Sequence, residues 1–486
     1  MVAVDIGAES GRVVDVDFDG NRLSVEEVRR FPNVPVQSAG SLHWDTDRLR
    51  DDVLAGLGRA GEFQSVGIDT WGVDFGLVDR SGSLLGKPGH YRDERTRGMI
   101  EKASARVPRQ EIYERTGVQF LEINTLYQLL AMVLAGDARL RDADRLLTMP
   151  ALVGRWLTPE SVDEYTDVTT TQCYDPVAGA WALDLLERLG IPTHIFGPVV
   201  QPGAVLGPLR DELELGQAVV IAPGTHDTAS AVAAVPFQPG KNAAYISSGT
   251  WSLVGVEVPA PLINNATLNA NLTNEGGVAG TTRLLKNVMG LWLVQECRRA
   301  WSAGGSDYSY EQLLALAAQA RPFAAVIDPD DERLLRPGNM PALLIELAAE
   351  NRQTLGADPG AIVRCVLESL AMKYRWNIER LESVTGREIS SIHVVGGGAR
   401  NALLCQMTAD AGDRSVLAGP VEATAIGNVM LQAIALGLVD SLEQGRDLVR
   451  RSTELRAFEP QSTEMWEPAW ERFSAAQMAA AERRTA

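Results

Sequence analysis

Apolar positions along the chain follow two periods, and the changes between them mark the elements. The opening "VAVDIGAESGRVVDVDF" reads as an apolar strand, a Gly-flanked turn from Gly7 to Gly11, and an alternating second strand. This pattern predicts a hairpin. A dinucleotide fingerprint needs GxGxxG opening a helix, and here both the glycine spacing and the helix are missing. Nearly half the chain later, "NAAYISSGTWSLVGVEV" (Asn242–Val258) repeats the strand–turn–strand pattern around Ser247, Ser248, Gly249 and Thr250. Two such units, each opening one half of the chain, suggest an internal duplication, although unrelated hairpins with Ser and Gly turns read the same way.

Other segments switch from strand to helix. In "VVIAPGTHDTASAVAAV" a buried strand stops at Pro223-Gly224 and a short helix begins at about Thr228. In "SSIHVVGGGARNALL" a strand ends at Val395, Gly396 to Gly398 make the turn, and a helix follows. The segments "NTLYQLLAMVLAG", "NVMGLWLVQECRRAW", "AIVRCVLESLAMKYRWNIERLESV" and "IGNVMLQAIALGLV" carry apolar residues at helical spacing. Strands alternating with helices predict an α/β architecture in both halves. The proline- and glycine-marked break at "VPFQPGKN" (Val235–Asn242) divides the chain into expected domains 1–238 and 239–486, with a solvated helix pair after Arg451.

Length agrees with two large domains, since 486 residues exceed one typical core. No apolar run is long enough to span a bilayer, and no basic and apolar leader precedes the first strand, so a cytoplasmic protein with no membrane partner is expected. The four cysteines (Cys173, Cys297, Cys365, Cys405) form no CxxC pair and the five histidines no zinc pattern, so any metal is expected to be magnesium held by oxygen. The net charge of −18 would repel a phosphate backbone and makes nucleic acid a poor partner.

The ionisable pair His226 and Asp227 stands alone in its stretch, at the carboxyl end of a predicted strand. Helix capping explains an aspartate there, and so does ligand chemistry, because α/β proteins bind ligands outside strand carboxyl ends. Asp5, ending the first strand, reads by itself as a strand-end turn carboxylate. The triple glycine serves either positive φ or close approach of a flat or phosphorylated ligand.

Several stretches together resemble the FGGY carbohydrate kinases of the actin-like ATPase superfamily, nearly end to end. They are "AVDIGAESGR", "GIDTWGVDFGLVD", "YRDERT", "TGVQFLEINTLYQL", "EYTDVTTTQCYD", "THDTASAV", "AAYISSGTWSLVG", "TNEGG", "LLKNVMGLWLVQE", "VVGGGARNALL" and "GPVEATAIGNVMLQAIALG". "IDTWGVDF", "EYTDVTTTQ" and "SSGTWSL" are similar to the rhamnulose-type branch of that family. One departure is Ala151, where the family usually has Asp after Met-Pro.

The resemblance implies two ribonuclease-H-like domains flanking a deep ligand cleft, with sugar at its base and ATP between the domains. The implied reaction transfers the γ-phosphoryl of MgATP to the 1-hydroxyl of L-rhamnulose, a step in L-rhamnose use. Another ketose or deoxy sugar (L-fuculose, xylulose, ribulose) is the alternative, and a non-catalytic sugar sensor a third reading. By the same resemblance Asp227 is the general base, expected to have an ordinary carboxylate pKa of about 4 and to be kept ionised by a helix N-terminus. Gly72, His226, Thr228 and Asn287 are implied to contact the sugar. Ala8, Glu9, Ser10, Gly11 and Arg12 are implied to form a first phosphate loop, and Thr250 a second phosphate contact, with Gln295 and Gly397 as further ATP contacts. If one helix carried both Asn287 and Gln295, they would stand about 80° apart around it. Asp5 is implied to hold magnesium through water. Glu422 and Thr424 are expected to organise a helix start near the nucleotide. Arg92, Asp93 and Arg95 read equally as sugar contacts or a solvated network. A monomer or homodimer is expected, closing on its substrates.

Overall fold

Asp5 and Arg12 face each other across a tight hairpin in the computed structural model of the chain, which describes residues 1–38, 40–160 and 162–485. Strand β1 (Val2–Ile6) runs antiparallel to β2 (Ser10–Phe18), and β2 to β3 (Leu23–Pro32). A Cβ on Gly11 would lie 2.2 Å from the Phe31 ring, so only glycine lets β3 close over this turn. All five residues of β1 are buried, as expected for a strand covered on both faces.

Beside β1 lies β4 (Ser65–Thr70), parallel to it, with Asp5 opposite Asp69. Beyond β4 come β6 (Val219–Ala222), also parallel, and the antiparallel edge strand β5 (Ala204–Pro208). The six-stranded sheet is therefore ordered β5-β6-β4-β1-β2-β3.

A second, seven-stranded sheet contains β7 (Ala243–Ser248), β8 (Trp251–Val258), β9 (Thr273–Gly276), β10 (Thr282–Met289), β11 (Ser391–Val395), β12 (Ser415–Ala418) and β13 (Arg456–Phe458), ordered β9-β10-β8-β7-β11-β12-β13. Again a hairpin (β7–β8, antiparallel) is followed by two parallel neighbours, β11 and β12, and an antiparallel edge, β13. The repeated order carries the duplication that the two hairpins suggested. Parallel neighbours need crossovers, and these are helical: Thr46–Leu57 lies between β3 and β4, and Pro359–Thr385 between β10 and β11. The latter starts at Asp358, whose side chain accepts from Ala361 N at 2.9 Å, and stops at Gly386 in the left-handed conformation.

By internal contacts the chain forms two compact units. One comprises Met1–Phe237, Glu257–Leu285 and Glu422–Glu454, the other Gln238–Val256, Lys286–Val421 and Leu455–Ala486. All four cysteines are buried free thiols. Among the described residues no helix is long and apolar enough to cross a membrane.

Two sequence expectations fail here. The segment "NVMGLWLVQECRRAW" is not one helix: Asn287 lies in β10, and the helix Trp292–Ala303 starts after Gly290, so Asn287 and Gln295 share no helical register. The residues after Arg451 are not a solvated helix pair. They supply edge strand β13 and then the helix Glu467–Thr485, in which Phe473 is buried and the neighbouring Gln477 accepts from Lys373 Nζ at 2.7 Å.

Candidate active site

The carboxyl ends of three strands in the first unit collect its chemistry. β1 delivers Asp5, β4 delivers Asp69, and the turn after β6 delivers Thr225, His226 and Asp227. Backbone bonds lock the ends together: Thr70 N donates to Thr225 O at 2.9 Å and Trp71 N to Ile6 O at 3.2 Å. The three carboxylates are close enough to feel one another's charge.

Asp227 is the first residue of the helix Asp227–Ala233, one position earlier than the sequence suggested, and His226 occupies the N-cap position without a side-chain cap bond. Its Oδ1 accepts from Thr228 N at 2.5 Å and from Thr228 Oγ1 at 3.1 Å, and 28% of the side chain stays exposed. The pKa is not ordinary. Burial raises it, His226 opposes the rise, and Asp5 adds to it. The expectation of an unperturbed carboxylate is corrected: desolvation outweighs the help of the helix N-terminus.

The turn is held rigidly from behind. Glu164 Oε2 accepts from Thr225 N at 2.9 Å and Thr225 Oγ1 at 2.7 Å, and Thr166 Oγ1 accepts from His226 N at 3.2 Å. Thr170 Oγ1 accepts from Val73 N at 3.1 Å, and a Cβ on Gly72 would lie 2.8 Å from that oxygen. Val73 itself has φ of 69°, a conformation that β-branched residues rarely adopt and that often marks a functional loop. Next to it Asp74 Oδ2 accepts from Trp44 Nε1 (2.6 Å) and Trp71 Nε1 (3.0 Å), and burial raises Asp74 to about 6. Gly72, His226, Asp227 and Thr228 are thus assembled on one braced surface.

At the hairpin turn, Arg12 Nε and Nη2 donate to Asp5 Oδ2 at 2.8 and 2.6 Å, and Nη1 donates to Glu422. Burial would weaken this guanidinium's charge, but Asp5 and Glu422 outweigh it and push its pKa up. Asp69 is fully buried: Oδ2 accepts from Asn428 Nδ2 at 2.6 Å, while Oδ1 has no hydrogen-bond partner. Burial, reinforced by Asp5, holds its pKa well above the carboxylate range. Among the described residues no three or more His, Cys, Asp or Glu gather into a metal cage. The oxygens of Asp5 and the unpartnered Asp69 Oδ1 nonetheless fit magnesium, which takes few protein ligands and retains water. Glu422 is the residue before the helix Ala423–Ala435, where its side chain makes no cap bond, and Thr424 lies in the first turn.

Thr250, Asn287, Gln295 and Gly397 belong to the second unit. Thr250 sits in the β7–β8 turn, where its carbonyl accepts from Gly290 N and Trp292 N, both at 3.1 Å. This ties the strand–helix junction carrying Asn287 and Gln295 to the hairpin. The three glycines after β11 differ in role. Gly396 has φ of 80°, a Cβ on Gly398 would lie 2.0 Å from Ser248 Oγ, and a Cβ on Gly397 meets nothing within 4 Å. Gly397 therefore borders open space, as a ligand cradle requires.

Arg92 and Asp93 are buried, which excludes a solvated network: Asp93 Oδ2 accepts from Leu42 N at 2.7 Å, and Arg95 Nη2 donates to Gln128 Oε1 at 2.6 Å. Ala151 is buried within the helix Met149–Leu157. Sequence reasoning missed Asp69, Glu275 and Arg283. Buried Arg283 Nη2 lies 3.1 Å from His226 Nδ1, its Nη1 lies 3.2 Å from Glu275 Oε2, and His226 Nε2 lies 3.4 Å from Asp227 Oδ1. The motif "TNEGG" was the available signal for Glu275.

Two family models match the chain: the N-terminal domain of the FGGY family of carbohydrate kinases over residues 1–234, and the C-terminal domain of that family over residues 244–436. The Rhamnulokinase of Bacteroides thetaiotaomicron is 42% identical over 479 residues, covering 97% of this chain and 98% of that protein. The Rhamnulokinase of Bacillus subtilis is 39% identical over 468 residues, covering 94% and 95%. Among solved structures, the gluconate kinase from Lactobacillus acidophilus superposes with a TM-score of 0.80 at 16% identity, covering 99% of this chain and 98% of that one. Plasmodium falciparum glycerol kinase with ADP gives a TM-score of 0.75 at 15% identity, with the same coverage. The doubled hairpin topology and the matches across both halves lead to one statement: the chain belongs to the FGGY family of carbohydrate kinases.

Proposed function

We propose that the chain phosphorylates L-rhamnulose at its 1-hydroxyl with ATP, giving L-rhamnulose 1-phosphate and ADP. The choice of sugar rests on one observation, the 42% identity across nearly the whole chain to a protein called Rhamnulokinase. In this reading the sugar oxygen attacks the γ-phosphorus, the bond to the β,γ-bridging oxygen breaks, ADP leaves, and the hydroxyl proton passes to Asp227. Both Thr228 bonds fall on Asp227 Oδ1, so Oδ2 is the atom assigned to the proton. A pKa raised by burial suits that task, because it makes the carboxylate a stronger acceptor for the hydroxyl proton.

Gly72, His226, Thr228 and Asn287 hold the sugar. Ala8, Glu9, Ser10, Gly11 and Arg12, with Thr250, Gln295 and Gly397, take the nucleotide, so segment 1–238 supplies the base and most sugar contacts and segment 239–486 adds nucleotide contacts and Asn287. Asp5 is the residue that would hold magnesium through water, and the ion would offset charge on the phosphate oxygens. Transfer of this kind asks for alignment and charge compensation more than covalent work. Four buried free thiols support a reducing, cytoplasmic setting.

The test is ADP release from MgATP over a panel of L-rhamnulose, L-fuculose, xylulose and ribulose, with the product identified by phosphorus NMR. The highest kcat/KM on L-rhamnulose, with phosphate on O1, is expected. A different preferred sugar moves the assignment within the family, and no turnover on any of them favours a sugar sensor.

A further inference from the structure

We propose that Arg283 is a positioning residue: it fixes His226 as the neutral tautomer protonated on Nε2 and turns that N–H toward the Asp227 carboxylate. The inference rests on reading Asp227 as the proton acceptor, and it adds a residue that the reading itself does not use.

The geometry starts in a hairpin. Glu275 on β9 and Arg283 on β10 are direct cross-strand partners. Arg283 is fully buried; its Nε donates to Gly276 O at 2.8 Å and its Nη1 faces Glu275 Oε2 at 3.2 Å. Gly276 N in turn donates to Thr169 Oγ1 at 2.7 Å, which fastens the hairpin to the segment bracing the His226 turn. The remaining Arg283 nitrogen, Nη2, is thereby aimed at His226 Nδ1 at 3.1 Å.

A guanidinium offers only donors and does not lose its proton in a protein. The atom it meets must present a lone pair, so Nδ1 carries no hydrogen. The neutral imidazole then carries its hydrogen on Nε2, the nitrogen 3.4 Å from Asp227 Oδ1. Glu275 Oε2 also faces Nδ1, at 3.4 Å, and would favour the opposite tautomer or a doubly protonated ring. Arg283 lies nearer and occupies the same nitrogen, so the guanidinium decides. The groups around the ring are Arg283 and Glu275 on Nδ1, Asp227 on Nε2, and Thr166 on the backbone N–H.

The consequence lies in which oxygen of Asp227 remains available. Oδ1 takes two donors from Thr228 and faces a third from His226, which leaves Oδ2 to meet the sugar hydroxyl. Without Arg283 the ring is free to swap tautomer and present a bare nitrogen to the carboxylate, repelling Oδ1 and disturbing the alignment of Oδ2.

The experiment is long-range nitrogen–proton NMR on ligand-free protein labelled at its histidines. There are five of them, and His226 is assigned by its loss in His226→Asn. Expected for the native chain is an unprotonated Nδ1 and a protonated Nε2; a protonated Nδ1 overturns the proposal without any variant having to fold. In Arg283→Met the ring is expected to become a tautomer mixture, with kcat falling about 10²-fold, as a misplaced reacting group typically costs, and the KM for ATP unchanged. Arg283→Lys, which keeps a donor, is expected to restore the Nε2–H tautomer and most of kcat. An Arg283→Met protein that folds with the native tautomer and native kcat overturns the assignment. Because the tautomer is read in ligand-free protein, its outcome is independent of whether Asp227 is the base.

Discussion

Replacing Asp227 by Asn separates a proton acceptor from a helix cap. The amide oxygen in the Oδ1 position keeps both Thr228 bonds, at 2.5 and 3.1 Å, so the local fold loses nothing that the carboxylate supplies to the helix. The N-cap position belongs to His226, which makes no side-chain cap bond. Thermal unfolding is therefore expected to move little, less than the ~1 kcal/mol that loss of a true capping residue costs, and the relief of a desolvated charge works in the stabilising direction. What disappears is the ability to accept a proton at Oδ2. A positioned general base contributes typically 10²–10⁴-fold, about 2.7–5.4 kcal/mol of barrier at 1.36 kcal/mol per tenfold. Initial rates of ADP release with L-rhamnulose and MgATP should show kcat down by that range. Sugar and ATP affinities, measured by calorimetry, should stay near native. A variant that keeps its kcat, or that unfolds early while each folded molecule turns over normally, refutes the base and returns Asp227 to a structural role.

Five further outcomes follow from the same geometry. Since burial raises the Asp227 pKa and the base must be ionised, kcat/KM should fall on acidification with an apparent pKa above the free aspartate value of about 4; a limb at or below that value in a pH–rate profile contradicts the buried environment. Thr250→Ala should raise the KM for ATP and leave sugar affinity unchanged, and a shift in sugar affinity would mean that the second hairpin has been given the wrong role. Gly397→Ala, whose Cβ meets nothing, should leave the unfolding temperature unchanged while raising the KM for ATP. Gly398→Ala, 2.0 Å from Ser248 Oγ, should lower stability by about 1–3 kcal/mol in a denaturant titration. Gly72→Ala should raise the KM for sugar, because the new methyl lies 2.8 Å from the Thr170 oxygen that holds Val73 N.

Hairpins were the most legible part of the chain. Both combine apolar runs with small turn residues, and such local patterns survive folding because each strand's partner is its neighbour in sequence. Ser391–Val395 and its glycine turn were legible for another reason, a short apolar run cut off by three consecutive glycines. Asn287 was not, since "LLKNVMGLW" satisfies a buried strand and a helix equally over so short a run, and only pairing in the sheet decides between them. Asp69 and Arg283 were invisible from spacing. Asp69 acquires meaning when parallel register sets it beside Asp5, and Arg283 when antiparallel register sets it opposite Glu275. The raised pKa of Asp227 likewise comes from residues distant in sequence that exclude water from it.

Arg12 carries a final implication. Its guanidinium is clasped by Asp5 and Glu422, so the turn presents no idle positive charge to solvent. Under the nucleotide role proposed for this turn, an arriving phosphate would trade places with a carboxylate. Nucleotide capture would then be a swap between anions, with its free energy set by the difference between two similar ion pairs. Softening one of the resident clasps, as in Glu422→Gln, is then a route to tighter nucleotide binding without touching any residue that meets the sugar.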